Sequence, residues 1–300
     1  MIEINGISKL FGNIKALDNV IAEIKDGSIF GLVGTNGAGK STMLRVLCGV
    51  LKADTGIALV DGEDVYENSA AKAEICFLSD TAYFFPNATA KSMAEYYGIV
   101  YPRFNHERFN EMIEKFGLDI NRKIKTFSKG MKKQVSVLLG VCSGTKYLFC
   151  DETFDGLDPV MRQAVKSVFA MELMNRDFTP VIASHSLREL EDICDYIGLL
   201  HKGGILLSKD LEDMKFHIHK VQCVIQDPVQ EEQLLTNLHV LQHDKRGSLL
   251  TLVARGTREE IMVAVEETKP LFAEVLPLTL EEIFISETEV AGYDVKNLIF

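Results

Sequence analysis

The 300-residue chain has no tryptophan, only 7 prolines, and no uninterrupted apolar run long enough for a membrane helix. Its most apolar segments, residues 135–141 and 147–150, are far too short, so any attachment to a membrane is expected through a partner. Residues 1–10 show no apolar core behind a basic head, so no secretory signal is expected there. The six cysteines (48, 76, 142, 150, 194 and 223) form no CxxC pair. Scattered through apolar surroundings, they read as reduced, buried thiols of a cytosolic protein, with no metal-ligand cluster among them. Basic residues are in deficit, 32 Lys and Arg against 43 Asp and Glu, for a formal net charge of -11. With no long Lys/Arg run, the chain is a poor candidate for wrapping nucleic acid or lying on anionic lipid. What remains is an ordinary globular balance, 47% hydrophobic and 25% charged, in a length that accommodates one full-sized core and a smaller appended domain.

Through the first two thirds, short apolar runs at 29–33, 147–150, 178–184 and 197–200 read as buried strands. Helical patterns at 40–50, 92–101, 105–116, 129–142, 160–174 and 187–195 lie between them. Strands alternating with helices indicate an α/β fold with a mainly parallel sheet covered on both faces. Residues 2–10 and 20–25 read as further strands near an edge. The pattern changes after about residue 210. The charged stretch 209–215 reads as a connector. It leads into strand 221–225, helix 231–237 behind Pro228, strands 240–243 and 249–254, helix 258–267, strand 274–278 and a short helix 280–285. Thr257 and Glu260 have the spacing of a capping box. The order β-α-β-β-α-β is that of a ferredoxin-like unit. His217 and His219 alternate as on a strand face and lack a third partner that would make a metal site.

Gly34-Thr35-Asn36-Gly37-Ala38-Gly39-Lys40-Ser41, followed by Thr42, matches the phosphate-binding loop G-x-x-x-x-G-K-[ST]. It follows an apolar strand and opens a helix, which is the context that gives the motif its meaning. Glycines let successive N–H groups point into one concavity, and the helix N-terminus adds partial positive charge. Lys40 supplies a full charge for β- and γ-phosphates, and Ser41 an oxygen for Mg²⁺. The loop alone specifies a nucleoside triphosphate and leaves a kinase, a GTPase or a motor open. A second chemical feature is the apolar strand Tyr147-Leu148-Phe149-Cys150, which ends in Asp151 and Glu152. An Asp there can hold Mg²⁺ through its water shell, and the next carboxylate can polarise an attacking water in line with the γ-phosphate.

The phosphate loop, Phe127-Ser128-Lys129-Gly130-Met131, Asp151-Glu152, Gly156-Leu157-Asp158-Pro159 and Ser184-His185, in this order and spacing, resemble an ABC ATPase cassette over about residues 1–210. The resemblance implies a P-loop NTPase fold with a helical subdomain at about 85–145, followed here by a small α+β domain at 216–300. It implies ATP and Mg²⁺ as cofactors and two cassettes that sandwich two ATP molecules. Ser128 and Gly130 would belong to the signature loop that closes on the γ-phosphate of the second cassette. Asp158 would lie in the loop crossing that interface, and His185 would hydrogen-bond the γ-phosphate. Phe11, just before Gly12, stands where the family places an aromatic that stacks on adenine. The aromatic-rich segment 81–103 falls where a membrane partner's coupling helix is received, although Tyr83, Phe84, Phe85, Tyr96, Tyr97 and Tyr101 could equally pack a helical subdomain.

Several positions depart from the common family pattern. Lys129 stands for a second glycine, Met131 for Gln, and Thr153-Phe154 for Pro-Thr. Asp80 stands for the Gln of the lever loop; a carboxylate there could bind Mg²⁺ or its water but cannot donate a hydrogen bond as an amide does. The Ser-Lys-Gly-Met signature resembles single-cassette bacterial exporters, including those for antibiotics and other hydrophobic compounds. The implied protein is a cytoplasmic ATPase, peripheral to the membrane through a separate permease. Three alternatives are weighed. A soluble translation or repair ATPase would need a second cassette or a long coiled coil. A phosphate-loop kinase would lack the signature and the histidine. A non-hydrolysing switch is disfavoured by the presence of Lys40, Asp151, Glu152 and His185.

Overall fold

The computed structural model describes residues 1–154, 157–276 and 278–290. Gly156 of the interface-loop motif and residues 291–300 of the expected C-terminal domain therefore lie outside the described residues. The chain divides into two compact units, Met1–Ser208 and Lys209–Phe300.

The first unit opens with the hairpin β1 (Ile2–Phe11) and β2 (Ile14–Ile24), followed by β3 (Phe30–Val33), α1 (Lys40–Leu47), β4 (Thr55–Val60), β5 (Glu63–Asp64), α2 (Ser69–Ala73) and β6 (Ile75–Leu78). Then come α3 (Ala90–Val100), α4 (His106–Lys115), a 3₁₀ turn at Ile124–Thr126 and α5 (Lys129–Cys142). The unit closes with β7 (Tyr147–Asp151), α6 (Pro159–Asn175), β8 (Thr179–Ser184), α7 (Leu187–Glu191), β9 (Tyr196–His201) and β10 (Gly204–Asp210). A six-stranded sheet runs β10-β9-β3-β8-β7-β6, in which β9, β3, β8, β7 and β6 pair in parallel. Every residue of β3, β7 and β8 is buried, as expected of parallel strands covered on both faces. All six cysteines are free and buried, and burial pushes the Cys76 thiol up to about 11.

The structure adds one strand to those expected in this unit and shortens one helix. Residues 2–10 and 20–25 fall on strands, as expected, with β2 at a sheet edge. They belong to a separate antiparallel sheet, β2-β1-β4-β5, completed by β4, which had not been foreseen. Only Ala58 and Val60 of β4 are buried, so its six residues carry too little apolar pattern to stand out. The helix expected over 187–195 ends at Glu191. Its end is fixed from outside, where Asp195 Oδ2 accepts the Ile29 N–H at 2.7 Å and turns the chain into β9.

The second unit contains α8 (Leu211–His217), β11 (Ile218–Val224), α9 (Pro228–Asn237), β12 (His239–Arg246), β13 (Leu249–Arg255), α10 (Arg258–Glu267), β14 (Phe272–Leu276) and α11 (Leu280–Val290). From β11 to β14 the order is β-α-β-β-α-β, and the antiparallel sheet runs β12-β13-β11-β14. Val221, Cys223, Leu250, Leu252, Ile261 and Val265 form its core. Thr257 and Glu260 make the capping box in full. The stretch 209–215 is no plain connector: Leu211 and Met214, buried at i and i+3, carry the helix α8. His217 ends that helix while His219 lies on β11, so the two do not share a strand face.

Candidate functional site

Four neighbouring strands, β3, β8, β7 and β6, deliver the chemistry at their carboxyl ends, where open α/β sheets bind ligands. Beyond β3 lies the phosphate loop, beyond β8 comes His185, β7 ends in Asp151 with Glu152 next, and Asp80 follows two residues after β6. The loop's shape requires glycine at two points. A Cβ on Gly34 would lie 2.3 Å from the Leu200 carbonyl oxygen. Gly39, with φ of +108°, would bring one equally close to the Ala16 oxygen. Gly39 is also the N-cap of α1 and offers no side chain, which leaves the first N–H groups of that helix facing the concavity. Thr35, Asn36, Gly37 and Ala38 complete the loop, closed by the Ala38 N–H bond to the Thr35 oxygen at 3.1 Å.

Lys40 is buried and folds back on the loop, donating to the Gly34 oxygen at 2.8 Å. Its Nζ also lies 3.4 Å from Glu152 Oε1. The other carboxylate oxygen of Glu152 lies 2.8 Å from His185 Nδ1. Glu152 thus joins two residues that the sequence separates widely. Its φ of 48° is in the left-handed region that non-glycine residues avoid, and its N–H is held by the Ala183 oxygen at 3.0 Å. The loop bearing His185 is braced by the Ser184 hydroxyl, which donates to Glu189 at 3.0 Å, while Arg162 pairs with the same carboxylate at 3.3 Å.

Ser41 Oγ donates to Asp151 Oδ1 at 2.9 Å, with Thr42 next on α1. Asp151 is buried, and burial pushes its carboxyl above the usual range; the Ser41 hydrogen bond opposes this, and the neighbouring charge of Glu152 adds to it. A buried carboxylate beside a hydroxyl is a donor set for a hard, oxygen-seeking cation that would relieve that burial cost, so the pair fits Mg²⁺. Among the described residues no group of three or more His, Cys, Asp or Glu is arranged as a metal cage. Mg²⁺ sites of this type commonly have few protein ligands, the rest being water and substrate phosphate. Asp80 does not bond to this pair; its side chain is 57% exposed and lies 3.7 Å from Lys133 Nζ.

The remaining candidates stand apart. Phe11 is exposed at the tip of the β1–β2 hairpin, with Lys9 Nζ 5.7 Å from its ring centroid. Ser128 caps α5 by accepting the Met131 N–H at 3.2 Å, which leaves its own hydroxyl proton for another acceptor; Gly130 sits in the same first turn. Asp158 caps α6 by accepting the Met161 N–H at 2.9 Å. Among the described residues no hydrogen bond or ion pair joins Phe11, Ser128, Gly130 or Asp158 to Lys40, Ser41 or Glu152. Sequence reading missed Lys133, which is buried and donates to the Glu152 oxygen at 2.5 Å. Among the lysines at 129, 132 and 133, only the placement of α5 distinguishes the one that turns inward.

A family model described as ABC transporter matches residues 17–155. The chain is 31% identical to the ABC transporter ATP-binding protein YtrB of Bacillus subtilis, over 96% of this chain and 98% of that one. It is 28% identical to the bacitracin transport ATP-binding protein BcrA of Bacillus licheniformis, over 72% of this chain and 71% of that one. Among solved structures, an ATP-binding subunit of an ABC transporter superposes with a TM-score of 0.66 at 21% identity, covering 72% of this chain and 92% of that chain. An ATP-binding cassette solved as a dimer bound to ADP and Pi gives 0.63 at 20% identity, over 70% of this chain and 99% of that chain. These two likenesses are in fold.

Proposed function

The chain belongs to the ABC transporter ATP-binding proteins and is an ATPase subunit of that family, and from this we propose that it powers export through a separate membrane permease, acting as a pair of cassettes with two ATP molecules between them. The observation that carries the reading is Glu152, whose carboxylate faces both Lys40 and His185. Lys40 and the loop N–H groups bind the β- and γ-phosphates. His185 hydrogen-bonds the γ-phosphate, and Glu152 orients the attacking water and takes its proton. Ser41 and Asp151 would hold Mg²⁺, which would supply positive charge against the negative charge of the phosphates. Phe11 stacks on adenine. Ser128, Gly130 and Asp158, unconnected to this half-site within one chain, supply the other half from the second cassette. Export is supported by the Ser128-Lys129-Gly130-Met131 signature, which resembles that of single-cassette exporters, and a transport role by the likeness to a bacitracin transport protein. Among the described residues no helix is long and apolar enough to cross a membrane, so the transport path is assigned to a partner.

The test is ATP turnover of the purified chain with Mg²⁺ beside Glu152→Gln, with oligomeric state followed by light scattering. Turnover by the wild type and an ATP-bound dimer of the variant are expected. Binding without hydrolysis or dimerisation, even with candidate permeases present, would overturn the reading in favour of a switch.

A further inference from the structure

Lys133 sits in the second turn of α5, the helix that Ser128 caps, with a side chain only 6% exposed. Burying an ammonium is costly unless hydrogen-bond partners and a counter-charge await it. Both are present. Its Nζ donates to the Glu152 carbonyl at 2.5 Å and lies 3.7 Å from Asp80 Oδ1. Three segments meet at this one cation: the helix behind the signature loop, the end of β7 and the loop after β6. The carbonyl it holds belongs to the residue with φ of 48°, a left-handed conformation that persists in a non-glycine residue only when its surroundings fix it. That conformation is the one in which the Glu152 carboxylate reaches Lys40 and His185. Asp80 stands where the resembled pattern has a neutral Gln, and here a carboxylate meets a buried cation.

We infer that Lys133 is a positioning residue for ATP hydrolysis, its ammonium clamping the Glu152 backbone with Asp80 as a counter-charge. The inference rests on the reading of Glu152 as the residue that orients the attacking water. It also gives Asp80 a role other than metal ligation, as a carboxylate that helps to balance the buried charge of Lys133.

The experiment measures kcat and KM for ATP with the full-length chain and Mg²⁺, together with affinity for a fluorescent ATP analogue. Lys133→Met is expected to lower kcat about tenfold or more while KM and nucleotide affinity stay within about twofold, because binding is intact and the reacting geometry is not. Lys133→Arg, which keeps the charge and the donor, restores most of the rate. Asp80→Asn combined with Lys133→Met loses less than the product of the two single losses, as expected of residues that act through one contact. Lys133→Gln, retaining a donor but no charge, serves the same comparison should Lys133→Met not fold. Unchanged kcat in Lys133→Met, an equal loss in Lys133→Arg, or nucleotide affinity falling in step with kcat would each overturn the inference. Glu152→Gln run in parallel separates the two claims. If that variant keeps its turnover, the assignment of Glu152 fails. If it stalls while Lys133→Met turns over normally, only the role of Lys133 fails.

Discussion

Ser41 Oγ and Asp151 Oδ1, 110 positions apart in the chain, meet in a 2.9 Å hydrogen bond that joins the phosphate-loop helix to the end of β7. Asp151→Asn keeps the shape and the acceptor but removes a charge that is costly to bury. In the absence of Mg²⁺ the variant is expected to melt no lower than wild type. Adding ATP with Mg²⁺ is expected to raise the melting temperature of the wild type and barely move that of the variant, with turnover falling about a hundredfold. Scanning fluorimetry with and without the ion checks this, and an equal Mg²⁺ response in both proteins would place the ion elsewhere.

The contact between His185 and Glu152 leads to a second expectation. His185→Ala removes one neighbour of the Glu152 carboxylate and, on the proposed reading, one hydrogen bond to the transferring group. A loss of about ten- to a hundredfold in kcat is expected, smaller than that of Glu152→Gln, because the histidine assists geometry that Glu152 carries out. Steady-state turnover of the two variants checks the order. A greater loss in His185→Ala would reverse the two roles.

The residues that meet at the site were mostly legible in the sequence, because each chemical group follows a short, fully apolar strand. Lys40, Asp151 with Glu152, and His185 could be placed from the runs before them, and the parallel order of β3, β8 and β7 brings those run-ends side by side. Strand β4 was not legible, since two buried residues in six make no period that stands out from a loop. Helix α8 was concealed by charged neighbours around Leu211 and Met214. Lys133 was illegible for another reason. A lysine's default is solvent, and only the tertiary placement of α5 against β7 shows that this one is buried with its charge balanced.

The start of β7 is tied to the antiparallel sheet by a polar knot, and that knot predicts acid behaviour. Lys146 Nζ donates to Asp61 at 2.7 Å and to Asp26 at 2.8 Å, and the Tyr147 hydroxyl lies 2.7 Å from the same Asp61 oxygen. Burial by itself would raise the Asp61 carboxyl, but the hydrogen bonds it accepts, from Lys146 foremost, outweigh this and hold it down to about 2. A carboxyl depressed on folding stabilises the fold above its ordinary pKa of 3.8 and loses that contribution as pH falls toward 2. Asp61→Asn should therefore be less stable than wild type at neutral pH, and the gap should narrow between about pH 4 and pH 2. Urea unfolding followed by circular dichroism across that range measures it; a constant gap would show that the carboxylate charge is not what the knot depends on.

The aromatic-rich segment after the lever loop divides into two groups. Tyr97 and Tyr101 turn inward, where burial pushes both phenols up, and Tyr97 packs with Phe104 at a centroid distance of 6.1 Å. Tyr83, Phe85 and Tyr96 remain exposed, in edge-to-face contact at 5.9 and 4.8 Å, and Ile99 on the same helix as Tyr96 is 81% exposed. An exposed cluster of this kind is the part of the cassette surface that we expect a permease helix to cover. Ile99→Asp should fold and melt like wild type, because the side chain makes little buried contact to lose. It should also weaken recovery of the chain with a candidate permease from detergent-solubilised membranes by about tenfold, since a charge would then have to be desolvated at the proposed interface. Unchanged recovery by both Ile99→Asp and Tyr96→Asp would move the docking surface away from α3.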